Sequence, residues 1–108
     1  MTEDTRELLD GIRAVEWNEE KAASNRRKHG IDFDEAASAL YGPVLLSRSD
    51  RNNEERWLAI GETDSRIIAV VFTWRSDTLR IISARRARKY EKRAYHHAAL
   101  GRAAKRQD

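Results

Sequence analysis

The sequence predicts an α+β domain: two short helices, an antiparallel meander of three or four strands, and a helix that closes the chain. Three observations carry this. Helix start and stop signals fall between residues 18 and 43, the apolar period changes to two from 43 to 86, and a helical pattern returns from Ala87 onward. A length of 108 residues allows one hydrophobic core and little more.

The elements follow in order. Leu8, Leu9, Ile12 and Val15 have roughly helical spacing, but Asp10 and Gly11 interrupt it, so residues 5–14 form at most a weak helix inside an N-terminal extension, 1–14. Beyond the apolar stretch "AVEW", Asn18 is placed to cap a helix with Glu19 and Glu20 in its first turn. Its last turn holds Arg26, Arg27, Lys28 and His29, and Gly30 is the left-handed stop. Acids at the start and cations at the end suit the helix dipole. Asp32 and Glu35 have capping-box spacing for a second helix, on which Phe33, Ala36, Ala37 and Leu40 form one stripe and which Gly42 and Pro43 end.

The runs "PVLLS", "RWLAIG", "RIIAVVFTW" and "TLRIISAR" are rich in β-branched and aromatic residues. Turn signals, "RSDRNNEE", "ETDS" and "SD", separate them. The last helix carries Tyr90, Ala94 and Ala98 on one stripe, and Gly101 is expected to end its ordered part. That leaves a single domain over 15–100 and a basic tail, 101–108.

The final hairpin sorts its own faces. Ile68, Val70, Phe72 and Trp74 share one face, and Leu79 and Ile81 must join it, so a turn centred on Ser76 and Asp77 pairs positions whose numbers sum to 153. Thr73 then stands opposite Arg80. The other face is expected to hold Thr73, Arg75, Thr78, Arg80, Ile82 and Arg86, a guanidinium-lined surface suited to phosphate. The alternative is an ordinary solvated sheet face.

Charge is polarised along the chain. From Arg85 to Asp108 nine Lys or Arg stand against two acids, a net +7, while residues 1–84 carry 12 against 16, a net −4. A basic segment on an acidic body suggests a polyanion or an acidic protein as partner, where the plainer reading is a solvated helix with a frayed tail. The chain has no cysteine, which excludes a disulfide framework, zinc–thiolate ligation and a thiol nucleophile. A mean hydropathy of −0.81, no membrane-length apolar run and an acidic N-terminus unlike a secretory signal make a cytoplasmic home the expectation.

Three stretches, "WNEEKAASNRRKHGIDFDEA", "RWLAIGETDSRIIAVVFTWR" and "LRIISARRARKYEKRAY", in this order resemble the BrnT family of bacterial toxins over about residues 15 to 95. The resemblance implies a RelE-like fold and a small ribonuclease that inhibits translation. It also implies a BrnA-like, DNA-binding antitoxin, with operator DNA reached only through that partner.

A ribonuclease of this composition lacks an HExxH motif and any acid cluster at metal spacing, and His96 and His97 point to different helix faces. No cofactor is therefore expected. The remaining route is attack of the RNA 2'-hydroxyl on its own phosphate, which needs a base, an acid and cations around the phosphoryl oxygens. His29 is the candidate base or acid, or else simply a helix C-terminal cation. Lys28, Arg75, Arg80 and Arg86 are candidates for phosphate positioning and charge stabilisation, and one of them can replace histidine as proton donor. Arg85, Arg88, Lys89, Lys92 and Arg93 read as RNA-backbone or antitoxin contacts. Tyr90 either stacks on a base or packs the helix. Trp17, Trp57 and Trp74 read mostly as core. Two other functions stay open: a non-catalytic RNA- or ribosome-binding module, and a co-repressor within an antitoxin–DNA complex.

Overall fold

The computed structural model describes residues 3–4, 14–63 and 66–106. Its elements are β1 (Glu3–Asp4), β2 (Ala14–Glu16), α1 (Glu19–His29), α2 (Phe33–Leu40), β3 (Val44–Arg48), β4 (Trp57–Glu62), β5 (Ile67–Arg75), β6 (Thr78–Arg86) and α3 (Lys89–Arg106). The fold is α+β with three helices among the described residues, as the sequence suggests.

The sheet is larger than expected and mixed. Its order is β1-β3-β4-β5-β6-β2, with the four expected antiparallel strands at the centre and a short strand added at each edge. β2 runs parallel to β6, pairing Val15 with Leu79 and Glu16 with Arg80. Three residues are too few to announce a strand by alternation, and the pairing with β6 rather than local propensity makes β2 extended. Residues 5–13, where a weak helix was expected, lie outside the described residues.

Both ends of α1 are as read from the sequence. The Asn18 side chain accepts the Lys21 N–H at 3.0 Å, and Gly30, at φ 68°, donates its N–H to the Arg26 carbonyl at 2.9 Å. α2 begins after Asp32, but the expected capping box is not made. Asp32 instead pairs with Arg26 Nε at 2.7 Å, and Glu35 grips Arg66 through two guanidinium nitrogens at 2.7 and 2.8 Å. Charge-assisted bonds outcompete a cap to a neutral amide. Arg66 also donates to the Gly30 carbonyl at 2.9 Å, so one side chain ties the end of α1 to α2 and β5. Its hydrogen bonds hold the Glu35 carboxyl below the ordinary carboxylate range.

The two sheet faces are covered unequally. α1 and α2 close the first with Ala22, Ile31, Phe33, Ala36 and Leu40, packed on Val44, Leu46, Val70, Phe72, Leu79 and Ile81. At Gly61 an added Cβ would meet Val44 Cγ1 at 3.1 Å and the Ala39 carbonyl at 3.2 Å, which is how closely α2 approaches β4. On the second face α3 covers only one end, where Tyr95 and Ala98 pack on Leu45, Ile60, Ile67 and Ala69. The buried stripe of α3 is Glu91, Tyr95 and Ala98 rather than Tyr90, Ala94 and Ala98, because Glu91 turns inward to meet Arg85. The helix also continues through Gly101 to Arg106. One interior glycine costs only about 1 kcal/mol, and the Ala, Lys and Arg around it are good helix formers.

The hairpin register holds and then shifts. Arg75↔Thr78, Trp74↔Leu79, Thr73↔Arg80 and Phe72↔Ile81 follow the expected sum, across a turn with Ser76 at φ 58°. Between Val71 and Phe72 the register slips, so that Val71 faces Ser83 and Ile82 is an extra residue on β6. One inserted residue reverses the alternation beyond it. Ala84, fully buried, reaches the core where an unbroken ladder would have put Ser83 and Arg85. Arg86 therefore lies on the helix-covered face opposite Ile68, not beside Arg75 and Arg80 as expected. Among the described residues no helix is long and apolar enough to cross a membrane.

Candidate active site

β2 ends at Glu16, opposite Arg80, and among the described residues the rest of the β6 edge has no strand partner. A side chain takes its place. Asn25, only 6% exposed in the middle of α1, donates from Nδ2 to the Ala84 carbonyl at 2.8 Å and to the Ile31 carbonyl at 3.1 Å. Its Oδ1 accepts the Ala84 N–H at 3.1 Å. The amide thus reproduces both bonds of a ladder and satisfies itself, as a buried asparagine must.

Between this clamp and the end of β2 the bulge opens a notch. The cleft there, about 230 Å³, is lined by Lys21, Ser24, Asn25, Lys28 and His29 of α1 and by Ile82 and Ser83 of β6. The last turn of α1 brings its exposed Lys28 and His29 here because Gly30 stops the helix at this point. These two sequence candidates therefore share one cleft.

Arg80 precedes Ser83 by three residues, roughly 10 Å along the strand and within reach of a long side chain. It lies on the second sheet face, on the half that α3 leaves bare, in line with Thr73 and Arg75. Its Nη1 donates to Glu16 Oε2 at 2.5 Å, the two side chains 28% and 41% exposed. Arg75 is exposed at the hairpin end of that face, where it lines a separate cleft of about 440 Å³ with Trp57, Thr73 and Trp74. Trp57 and Trp74, like Trp17, are partly buried against the core.

Other candidates are placed elsewhere. Arg86 is exposed, on the opposite face from Arg80. Arg85 is committed: two nitrogens bind Glu91 Oε1 and Oε2 at 2.8 and 3.0 Å, and Glu91, 2% exposed, also accepts the Arg88 N–H at 2.7 Å. The Arg85 bonds hold the Glu91 carboxyl below its usual range and raise the guanidinium further. This carboxylate fastens the start of α3 to β6. Arg88 just before α3 and Lys89, Lys92, Arg93 and Tyr90 along its first turns remain exposed, Tyr90 at 61%. Tyr90 therefore does not pack the helix. α1 and α3 stand on opposite faces of the sheet, so their cations do not border one shared face.

Two residues at this candidate site were not singled out in the sequence, Glu16 and Asn25. An asparagine in mid-helix is unfavourable unless it is bonded, and a glutamate between apolar Val15 and Trp17 alternates with period two. Both signals are real but local, and neither names the strand it meets.

Among the described residues no group of three His, Asp or Glu is placed to hold a metal ion. The arrangement is suited to a polyanion: an imidazole and lysines in a notch, then a half-free guanidinium on an open sheet surface. A comparison with curated proteins finds no match. The profile described as ribonuclease toxin, BrnT, of type II toxin-antitoxin systems matches residues 17–91, which run from Trp17 through α1, the notch and Arg80 to Glu91. The chain belongs to the BrnT family of ribonuclease toxins of type II toxin–antitoxin systems.

Proposed function

We propose that this toxin is a metal-independent endoribonuclease that inhibits translation, acting in the cytoplasm with a RelE-like architecture and restrained by a BrnA-like, DNA-binding antitoxin through which alone it meets operator DNA. The observation that carries the chemistry is the notch, where Lys28 and His29 face the β6 edge one strand segment from Arg80. Two Arg80 nitrogens beyond the one bound to Glu16 are available to phosphoryl oxygens, where charge develops in the transition state. His29 has the side chain best matched to proton transfer near neutral pH, and Lys28 stands beside it as electrostatic support or alternate donor. Arg75, on the same bare face, Arg88, and Lys89, Lys92 and Arg93 of α3 extend the basic surface along which an RNA backbone lies, with Tyr90 exposed to stack on a base. Arg86 contributes from the far face of β6 as an outer phosphate contact, and Arg85 acts through its hold on α3. The RNA is free or ribosome-associated.

The test is cleavage of single-stranded RNA in EDTA, with and without ribosomes. Wild-type protein is expected to cut, and His29→Ala and Arg80→Ala to cut at least about tenfold more slowly. Unchanged rates in both variants overturn the site. Tight, salt-sensitive binding with no product under either condition indicates a binding module instead.

A further inference from the structure

We infer that Glu16 is the general base of the cleavage reaction, accepting the 2'-hydroxyl proton while Arg80 holds the adjacent phosphate. This rests on the nuclease reading above and deepens it. In this reaction the 2'-oxygen attacks the phosphorus carried by O3' of the adjacent ribose carbon, so the proton acceptor and the cation on the phosphoryl oxygens must be neighbours. The Glu16–Arg80 pair, 2.5 Å apart on the bare half of the sheet, is such a neighbouring couple.

Geometry leaves Glu16 free to act. The parallel register of β2 puts Val15 against the core and turns Glu16 to the open face. Only Oε2 is engaged by Arg80, and Oε1 accepts no hydrogen bond from any described residue. The carboxylate is partly exposed, so substrate can reach it. Among the described residues the charged group in contact with it is Arg80 on β6; Arg75 stands farther along the same face on β5, and Glu19 at the start of α1 accepts the Trp17 indole N–H at 3.1 Å. Contrast Glu91, whose two oxygens accept three bonds.

The step balances. Glu16 Oε1 takes the 2'-hydroxyl proton, the O2'–P bond forms as the P–O5' bond breaks in line, and the His29 imidazolium protonates the departing 5'-oxygen. A 2',3'-cyclic phosphate and a 5'-hydroxyl result. Base on β2 and acid on α1 both flank the outer edge of β6, Glu16 opposite Arg80 and His29 at the cleft lined by Ile82 and Ser83.

The experiment compares wild type, Glu16→Gln, Glu16→Asp and His29→Ala on RNA and on the same RNA with a 5'-thio leaving group, which needs no acid. Glu16→Gln keeps the hydrogen bond to Arg80 and the melting curve. It is expected to lose about 100-fold in rate and the acidic limb of the pH–rate profile, on both substrates. His29→Ala is expected to recover on the thio substrate. Glu16→Asp, which keeps the charge but draws it back, is expected to fall in between, and it decides the matter should Glu16→Gln melt early. Glu16→Gln cutting within about threefold of wild type, with the acidic limb intact, overturns the assignment alone. Wild type that leaves RNA intact overturns the nuclease reading as well.

Discussion

Two arginine–carboxylate pairs meet on β6, Arg80 with Glu16 and Arg85 with Glu91, and they differ in what each has left to give. The second is closed: Glu91 is 2% exposed, both its oxygens are bonded, and α3 lies over it. The first is open: one nitrogen meets one oxygen on a sheet surface that no described element covers, and both side chains are partly exposed. The same residue types build a closed fastening in one place and an open, half-bonded pair in the other, and the difference is coverage by α3. Stability should follow the closed pair and activity the open one.

The largest effect expected is for Glu91→Gln, which strands a half-buried guanidinium and loosens the start of α3. Chemical denaturation should show a loss of about 3–5 kcal/mol, and a loss below about 1 kcal/mol would equate the two pairs. Asn25→Ala removes the clamp on β6 and leaves Ala84 and Ile31 groups unpaired in the interior. About 2–3 kcal/mol should be lost in the same measurement, with activity falling as the notch loses its wall. Arg80→Ala reverses the pattern: stability should change by less than about 1 kcal/mol while cleavage drops at least tenfold, or about 1.4 kcal/mol of barrier.

A smaller effect concerns pH. Glu35 and Glu91 have folded-state pKa values below their unfolded ones, so their contribution is complete above the unfolded value, near pH 4.3, and is lost as pH falls through the folded values. Denaturation from pH 7 to 3 should show stability declining below about pH 5, and Glu91→Gln should flatten that decline. Gly30→Ala, which forces a side chain into a left-handed conformation, should cost about 1 kcal/mol, detectable as a lowered melting temperature.

Sequence reading succeeded wherever a local signal sufficed. Asn18 and Gly30 bound α1 because a cap and a left-handed stop are chemical properties of single residues, and the hairpin register followed from two apolar faces that must join. It failed where a distant partner decides. Nothing in "AVEW" reveals that β2 runs parallel to β6, and nothing in "TLRIISARR" announces that Ile82 bulges to spare the core from Arg85. Arg86 and Arg85 thereby exchanged faces. Glu35 left its capping role because Arg66, 31 residues away, bonds it more strongly. Of the candidate site, Lys28, His29 and Arg80 were legible as residue types in a basic setting, whereas Glu16 became visible only through its strand partner.

The most direct measurement is the chemistry of the RNA ends left by the wild-type protein in EDTA, with ribosomes supplied in a parallel reaction. Fragments ending in 2',3'-cyclic phosphate or 3'-phosphate, with 5'-hydroxyl partners, are the expected result. Ends carrying 3'-hydroxyl and 5'-phosphate, or RNA left intact in both reactions, would contradict 2'-hydroxyl attack at the Arg80 surface.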